Sequence, residues 1–265
     1  MKKYTQIIKL SATKAFDGGI LYILGRYLLQ LVSLIFLILI WESLANQGAD
    51  LGIFTLNELI IYSIGAAVLS EQLNIVTPAT TSFWEGSIIS RYLRPMSVLL
   101  HLSLETIGSW LPKLSLFSVP IILATNLFSI NLSASIMQSP LAFLASLILS
   151  ISLGFAIDYI FAALVIRLKN ANYTAYSIRM ALITFLSGAV IPYNLFPFNL
   201  GNILQLLPFG SLASAPLLIL LNKGNIDQLI FLQVFWNIFM WPLAIYTFSK
   251  SKERMVSYGG NNSCT

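Results

Sequence analysis

Residues 83–97 read Phe-Trp-Glu-Gly-Ser-Ile-Ile-Ser-Arg-Tyr-Leu-Arg-Pro-Met-Ser and sit between two long apolar runs. A solvated connector has no use for Trp84, Ile88, Ile89, Tyr92 and Leu93. These residues recur at helical offsets, so the stretch predicts one short helix with an apolar edge beside Arg91 and Arg94, closed by Pro95. The runs on either side, residues 56–76 and 106–128, are each long enough to cross a bilayer. The expected arrangement is a sticky helix at the cytoplasmic face of a membrane protein, between its second and third spans.

Composition fixes the class. The 265 residues are 57% hydrophobic and only 9% charged, with a mean hydropathy of +0.81. A soluble domain carries about 25% charged residues, because even a large core must be wrapped in a surface that water will wet. The chain is therefore read as an all-α polytopic membrane protein. It is a single domain over residues 1–265, with no room for an appended soluble one. The net charge of +5 belongs to cationic loops on one side of the membrane rather than to nucleic-acid binding. The single cysteine, Cys264, excludes an internal disulfide, and the single histidine, His101, excludes a multi-histidine metal site. The start of the chain lacks the pattern of a cleavable signal peptide.

Working outward, residues 3–16 place Tyr4, Ile7, Ile8, Ala12, Ala15 and Phe16 on one helical stripe with Lys3, Lys9 and Lys14 off it. That is the pattern of an amphipathic helix lying on an anionic leaflet, and Asp17-Gly18-Gly19 ends it. The first span covers residues 20–44, with Arg26 near its inner end and Trp41 and Glu42 at the other interface. Pro112 and Pro120 predict a kinked or broken third span. The fourth span runs over 140–167, the fifth over 173–191 and the sixth over 226–248. Residues 193–225 are apolar, rich in Pro and Gly and nearly uncharged, which reads as one or two re-entrant or interfacial helices. The tail after residue 254 is expected to be disordered.

Six spans place both termini on one side. With Arg26, Lys113 and Arg179 counted to the nearer face, every one of the 15 Lys and Arg residues except Lys223 lies on that side, which is therefore read as cytoplasmic. Among the acids, Asp158 lies roughly 13 Å from the inner boundary by helix rise. An acid at that depth suits either coupled-ion chemistry or a structural pair with an Arg or a hydroxyl. Glu71 and Glu105 read as interfacial, and Glu85 as either a surface acid or a partner contact. No G-x-x-x-x-G-K-[ST] loop is present, so the chain does not bind ATP in that way. A serine protease built from Ser187 and His101 fails because the two fall at opposite ends of their spans.

The ordered set of features resembles the permease subunits of type-2 ABC exporters, over essentially the whole length. The resemblance is to the small bacterial permeases of that group. It rests on Glu85-Gly86-Ser87-Ile88 followed by Tyr92-Leu93-Arg94-Pro95-Met96-Ser97, then on Ser187-Gly188-Ala189-Val190-Ile191-Pro192, Phe196-Pro197, Leu207-Pro208-Phe209 and Pro216. It implies a dimer of permeases, identical or homologous, in a bacterial inner membrane, with ATP and magnesium bound by separate ATPase subunits. Helix 83–97 would be the coupling helix, with Glu85, Gly86, Ile88, Ile89, Arg91, Tyr92 and Arg94 meeting the ATPase, and Arg167 and Lys169 a second contact. Ser187, Gly188, Pro192, Pro197, Pro208 and Phe209 would belong to the external gate. The rival readings are an ion-coupled carrier using Asp158 and a non-transporting membrane scaffold.

Overall fold

A computed structural model of the chain describes residues 2–17, 19–127, 130, 135, 137–167, 172–198 and 200–259, and no strand occurs among them. Among the described residues, four helices are long and apolar enough to cross a membrane, within Leu21–Asn46, Val98–Thr125, Pro140–Leu164 and Ile226–Ser251. Two shorter apolar helices accompany them, Leu56–Val68 and Tyr176–Leu186. The chain is thus an all-α, multi-pass membrane protein.

Helix α1 (Lys2–Phe16) lies across α7 (Val98–Ser109). Gly108 permits the approach: a Cβ there would stand 2.5 Å from the carbonyl oxygen of Ile8. The Ser11 hydroxyl donates to the Glu105 carbonyl at 2.5 Å across the same crossing. The long helix α2 (Ile20–Asn46) packs on α3 (Leu56–Val68), which opens with a reciprocal capping box between Thr55 and Glu58. Trp41, expected at an interface, turns inward and donates to Ser63 Oγ at 3.0 Å.

The second span is shorter than its hydropathy suggests. The α3 helix ends at Val68, a single turn α4 (Ser70–Leu73) follows, and the chain then extends through residues 74–77. Side chains capture the carbonyls this break frees: Gln30 donates to Ala67 at 3.0 Å and Ser118 to Val68 at 2.8 Å. That is how a helix can end inside an apolar bundle. The third span responds differently to its prolines. It stays helical through α7, α8 (Leu111–Lys113) and α9 (Val119–Leu127) by opening a π turn over Leu114–Ser118. The wider turn stands just before Pro120, which has no N–H for the preceding turn.

At the centre, α10 (Pro140–Arg167) packs along α14 (Ile226–Gly259). Buried Ser146, Ser150, Ala156 and Ala162 let the helices close. Polar side chains bind the seam: Gln233 Nε2 reaches the carbonyl of Ser146 at 3.1 Å, Asn237 Nδ2 that of Leu149 at 3.0 Å, and Trp241 Nε1 the Ser152 hydroxyl at 2.8 Å. Helix α11 (Asn172–Leu186) flanks α10. Two short helices, α12 (Leu200–Leu206) and α13 (Ser214–Leu220), occupy the apolar region before α14. Every residue of α13 is buried, against α3 and α10.

Candidate functional site

The 83–97 stretch is not one helix. It is a pair, α5 (Ala79–Trp84) and α6 (Ile88–Tyr92), separated by Glu85, Gly86 and Ser87. Gly86 has a φ of +72°, and a Cβ added there would meet no atom within 4 Å, so the left-handed turn itself selects glycine and ends α5. The break splits the expected apolar edge. Ile88 is fully buried, in one apolar cluster with residues such as Ile75, Phe83 and Phe155, and Tyr92 is half-buried. Trp84, Ile89 and Leu93 point outward, Leu93 with 83% of its surface exposed. Burial pushes the Tyr92 phenol up to about 12. Glu85 is exposed at the turn.

The two arginines differ as well. Arg91 forms an ion pair with Glu105 and reaches His101 Nδ1 at 2.9 Å, while Arg94 Nη1 lies 2.8 Å from His101 Nε2. A neutral imidazole has one lone pair and a protonated one has none. His101 can therefore accept from only one guanidinium at a time. Arg91 keeps Glu105 as a second partner; Arg94 stays exposed.

The root of the hairpin is pinned to the bundle by Asp158. Its Oδ2 accepts from Thr77 N at 3.0 Å and Thr77 Oγ1 at 2.5 Å, and its Oδ1 lies 3.0 Å from Arg179 Nε. Arg179 also donates to the Ile75 carbonyl. Asp158 and Arg179 are both almost fully buried, at 1% and 2% exposure. Arg179, expected to face the membrane boundary, is instead the counter-ion of Asp158. The group joins α10, α11 and the extended segment leading into α5.

Of the expected gate residues, Gly188 has a φ of +72°, and its carbonyl accepts from the Tyr62 hydroxyl at 2.5 Å. The Ser187 carbonyl accepts from Ser214 N at 2.9 Å, which ties the end of α11 to the start of α13. Pro192 and Pro208 are buried, Pro197 is exposed, and Phe209 packs partly buried against Leu212 and Ile183. Ser187 and His101 share no hydrogen bond. The Arg167 side chain and all of Lys169 lie outside the described residues.

A cavity of 560 Å³ opens among α2, α4, α8 and α11, from Ala15 and Ser109 at one end to Ser187 and Val190 at the other. One wall carries charge. Arg26 Nη2 meets Glu71 Oε1 at 3.2 Å, with the Arg26 side chain 61% and the Glu71 side chain 18% exposed. Behind them Lys113, only 1% exposed, donates to Ser70 Oγ, which also receives Gln30 Nε2 at 3.0 Å. The sequence pattern places Arg26 and Lys113 at the nearer membrane face and Glu71 at an interface. It carries no sign that three different helices bring them together, Arg26 and Glu71 on the cavity wall and Lys113 behind it.

The match to known proteins decides the family: the family model described as "ABC-2 family transporter protein" matches residues 27–259. The chain belongs to the ABC-2 transporter family. This ABC-2 protein is a transmembrane component of an ABC transporter, and membership implies work with ABC ATPase subunits. No curated protein and no solved structure matches it.

Proposed function

We propose that this ABC-2 protein is the permease of an ATP-driven exporter in a bacterial inner membrane, with six spans and cytoplasmic termini. Two permeases, identical or homologous, line the path, and separate ATPases supply ATP and magnesium chemistry. The α5–α6 hairpin is the coupling element, with Arg167 and Lys169 forming a smaller contact. The observation that supports this is the outward patch of Trp84, Ile89 and Leu93 on a hairpin whose root is fixed to α10 and α11. A patch of that kind calls for a cover. Its rim carries both Arg94 and Glu85, which suits a protein groove better than an anionic leaflet. The segment from Ser187 to Phe209 forms the external gate.

ATP-driven approach of the two ATPases pulls on the hairpin. Thr77, Asp158 and Arg179 pass that displacement to α10 and α11, and so to Ser187 at the end of α11. The permease contributes only contacts that differ between the two states. Affinity purification from native membranes is the test. An ABC ATPase should co-purify stoichiometrically with the wild-type chain, and Ile89→Asp with Leu93→Asp should abolish this while membrane insertion stays normal. Transport by the isolated chain under an ion gradient would overturn the reading.

A further inference from the structure

We infer that the cavity between α2 and α11 binds an amphipathic anion, its phosphate- or carboxylate-type headgroup held by Arg26 and its apolar tail lying along Ile23, Ile183 and Val190. This rests on the exporter reading and adds the substrate class.

The charged wall holds Arg26 and Glu71, with a second cation, Lys113, buried behind it. Glu71 lies recessed, and Lys113 is buried behind it, spending a donor on Ser70. The group that faces the space is the guanidinium. Arg26 engages Glu71 through a single nitrogen, which leaves most of its five N–H donors for the oxygens of a bound anion. Lys113 offsets the Glu71 charge from behind, so the cavity presents a net positive headgroup pocket rather than a neutral ion pair. Asn74 and Ser70 add neutral polar groups at the same level. Towards Val190 the lining is mainly apolar, with Met180, Ile183, Ala189 and Val190 beside the hydroxyls of Thr184 and Ser187. A volume of 560 Å³ falls within the usual range for small-molecule sites, about 300–1,000 Å³. Two cations and an acid brought together beside apolar spans have no role in packing against lipid tails. An amphipathic cation is disfavoured, because Glu71 is already flanked by both positive groups.

The test uses the purified full chain in nanodiscs of zwitterionic lipid, with a fluorescent dodecyl phosphate as probe. The expected result is binding at least tenfold tighter than that of dodecyl trimethylammonium carrying the same label. Arg26→Gln should lose about tenfold, Arg26→Lys should keep most of the affinity, and Glu71→Gln should bind the phosphate at least as tightly as wild type. Because Glu71→Gln is expected to gain rather than lose, it guards against a variant that merely misfolds. Inorganic phosphate at equal concentration should not compete; if it competes as well as dodecyl phosphate, the apolar half of the proposal is wrong. Equal affinity for the two amphiphiles, or unchanged binding by Arg26→Gln, overturns the site. Loss of the charge preference in a chain that still co-purifies with an ATPase removes this site alone, whereas anion binding by a chain that never associates with an ATPase removes the exporter reading instead.

Discussion

Asp158 and Arg179 show how differently one charge reads alone and in company. Alone, an acid deep in an apolar span suggests a proton or ion pathway. In the folded chain both its oxygens are engaged, by Arg179 and by Thr77. A buried pair contributes little against an apolar substitute, but removing one partner strands a charge and costs about 3–5 kcal/mol. Asp158→Ala should therefore lower the thermal midpoint of the detergent-purified chain sharply, and Asp158→Leu with Arg179→Met should recover most of the loss. A single variant no worse than the double would rule out the pair as a structural tie. Asp158 was legible from its depth in a hydropathy run. Its partner was not, because Arg179 is twenty-one positions away on another helix and nothing local distinguishes it from a span-end cation. Ile88 and Ile89 make the same point: both fit an apolar edge, yet only Ile89 is outside. Ile88→Asp should prevent folding rather than docking, visible as lost expression, whereas Ile89→Asp should leave expression intact.

At the scale of elements, the long helices were readable because twenty or more apolar residues have one stable form in lipid. The broken ones were readable only in part. The end of α3 at Val68 depends on Gln30 and Ser118, side chains from two other helices, so no local pattern announces it. Similarly, the prolines of the third span announced a break, but a π turn absorbed it. The α1 helix was legible as amphipathic, while its seat on α7 depends on Gly108. Gly108→Leu would drive a side chain into the Ile8 backbone and should lift α1 off. In a Cys264→Ser background, Ser11→Cys should then change from slow to fast maleimide labelling. Unchanged labelling would mean that α1 is held by other contacts.

For the molecule as a whole, the sidedness of charge is the strongest long-range signal in the sequence, although two of the cations counted to the nearer face, Arg179 and Lys113, are buried. Lys223, the exception, forms an ion pair with Glu58 at 3.0 Å and donates to the Ile53 carbonyl at 3.1 Å. It closes the end where α3 begins and α13 has finished. The corresponding expectation is topological: in a Cys264→Ser background, an impermeant maleimide added to intact cells should label Ala49→Cys and not Ser257→Cys. The opposite pattern would invert the orientation, and with it the placement of the hairpin.

The His101 cluster has a further consequence. With two guanidinium groups directed at a ring that can accept from one, the resting chain holds a locally frustrated contact, and such contacts persist where a fold is shaped by something other than its own stability. Stability and association should then respond in opposite directions to one substitution. Arg94→Gln is expected to leave the melting temperature of the isolated permease unchanged or raised, because it relieves the conflict. The same change should weaken the complex with the ATPase, which comparison of melting and co-purification on one preparation would reveal.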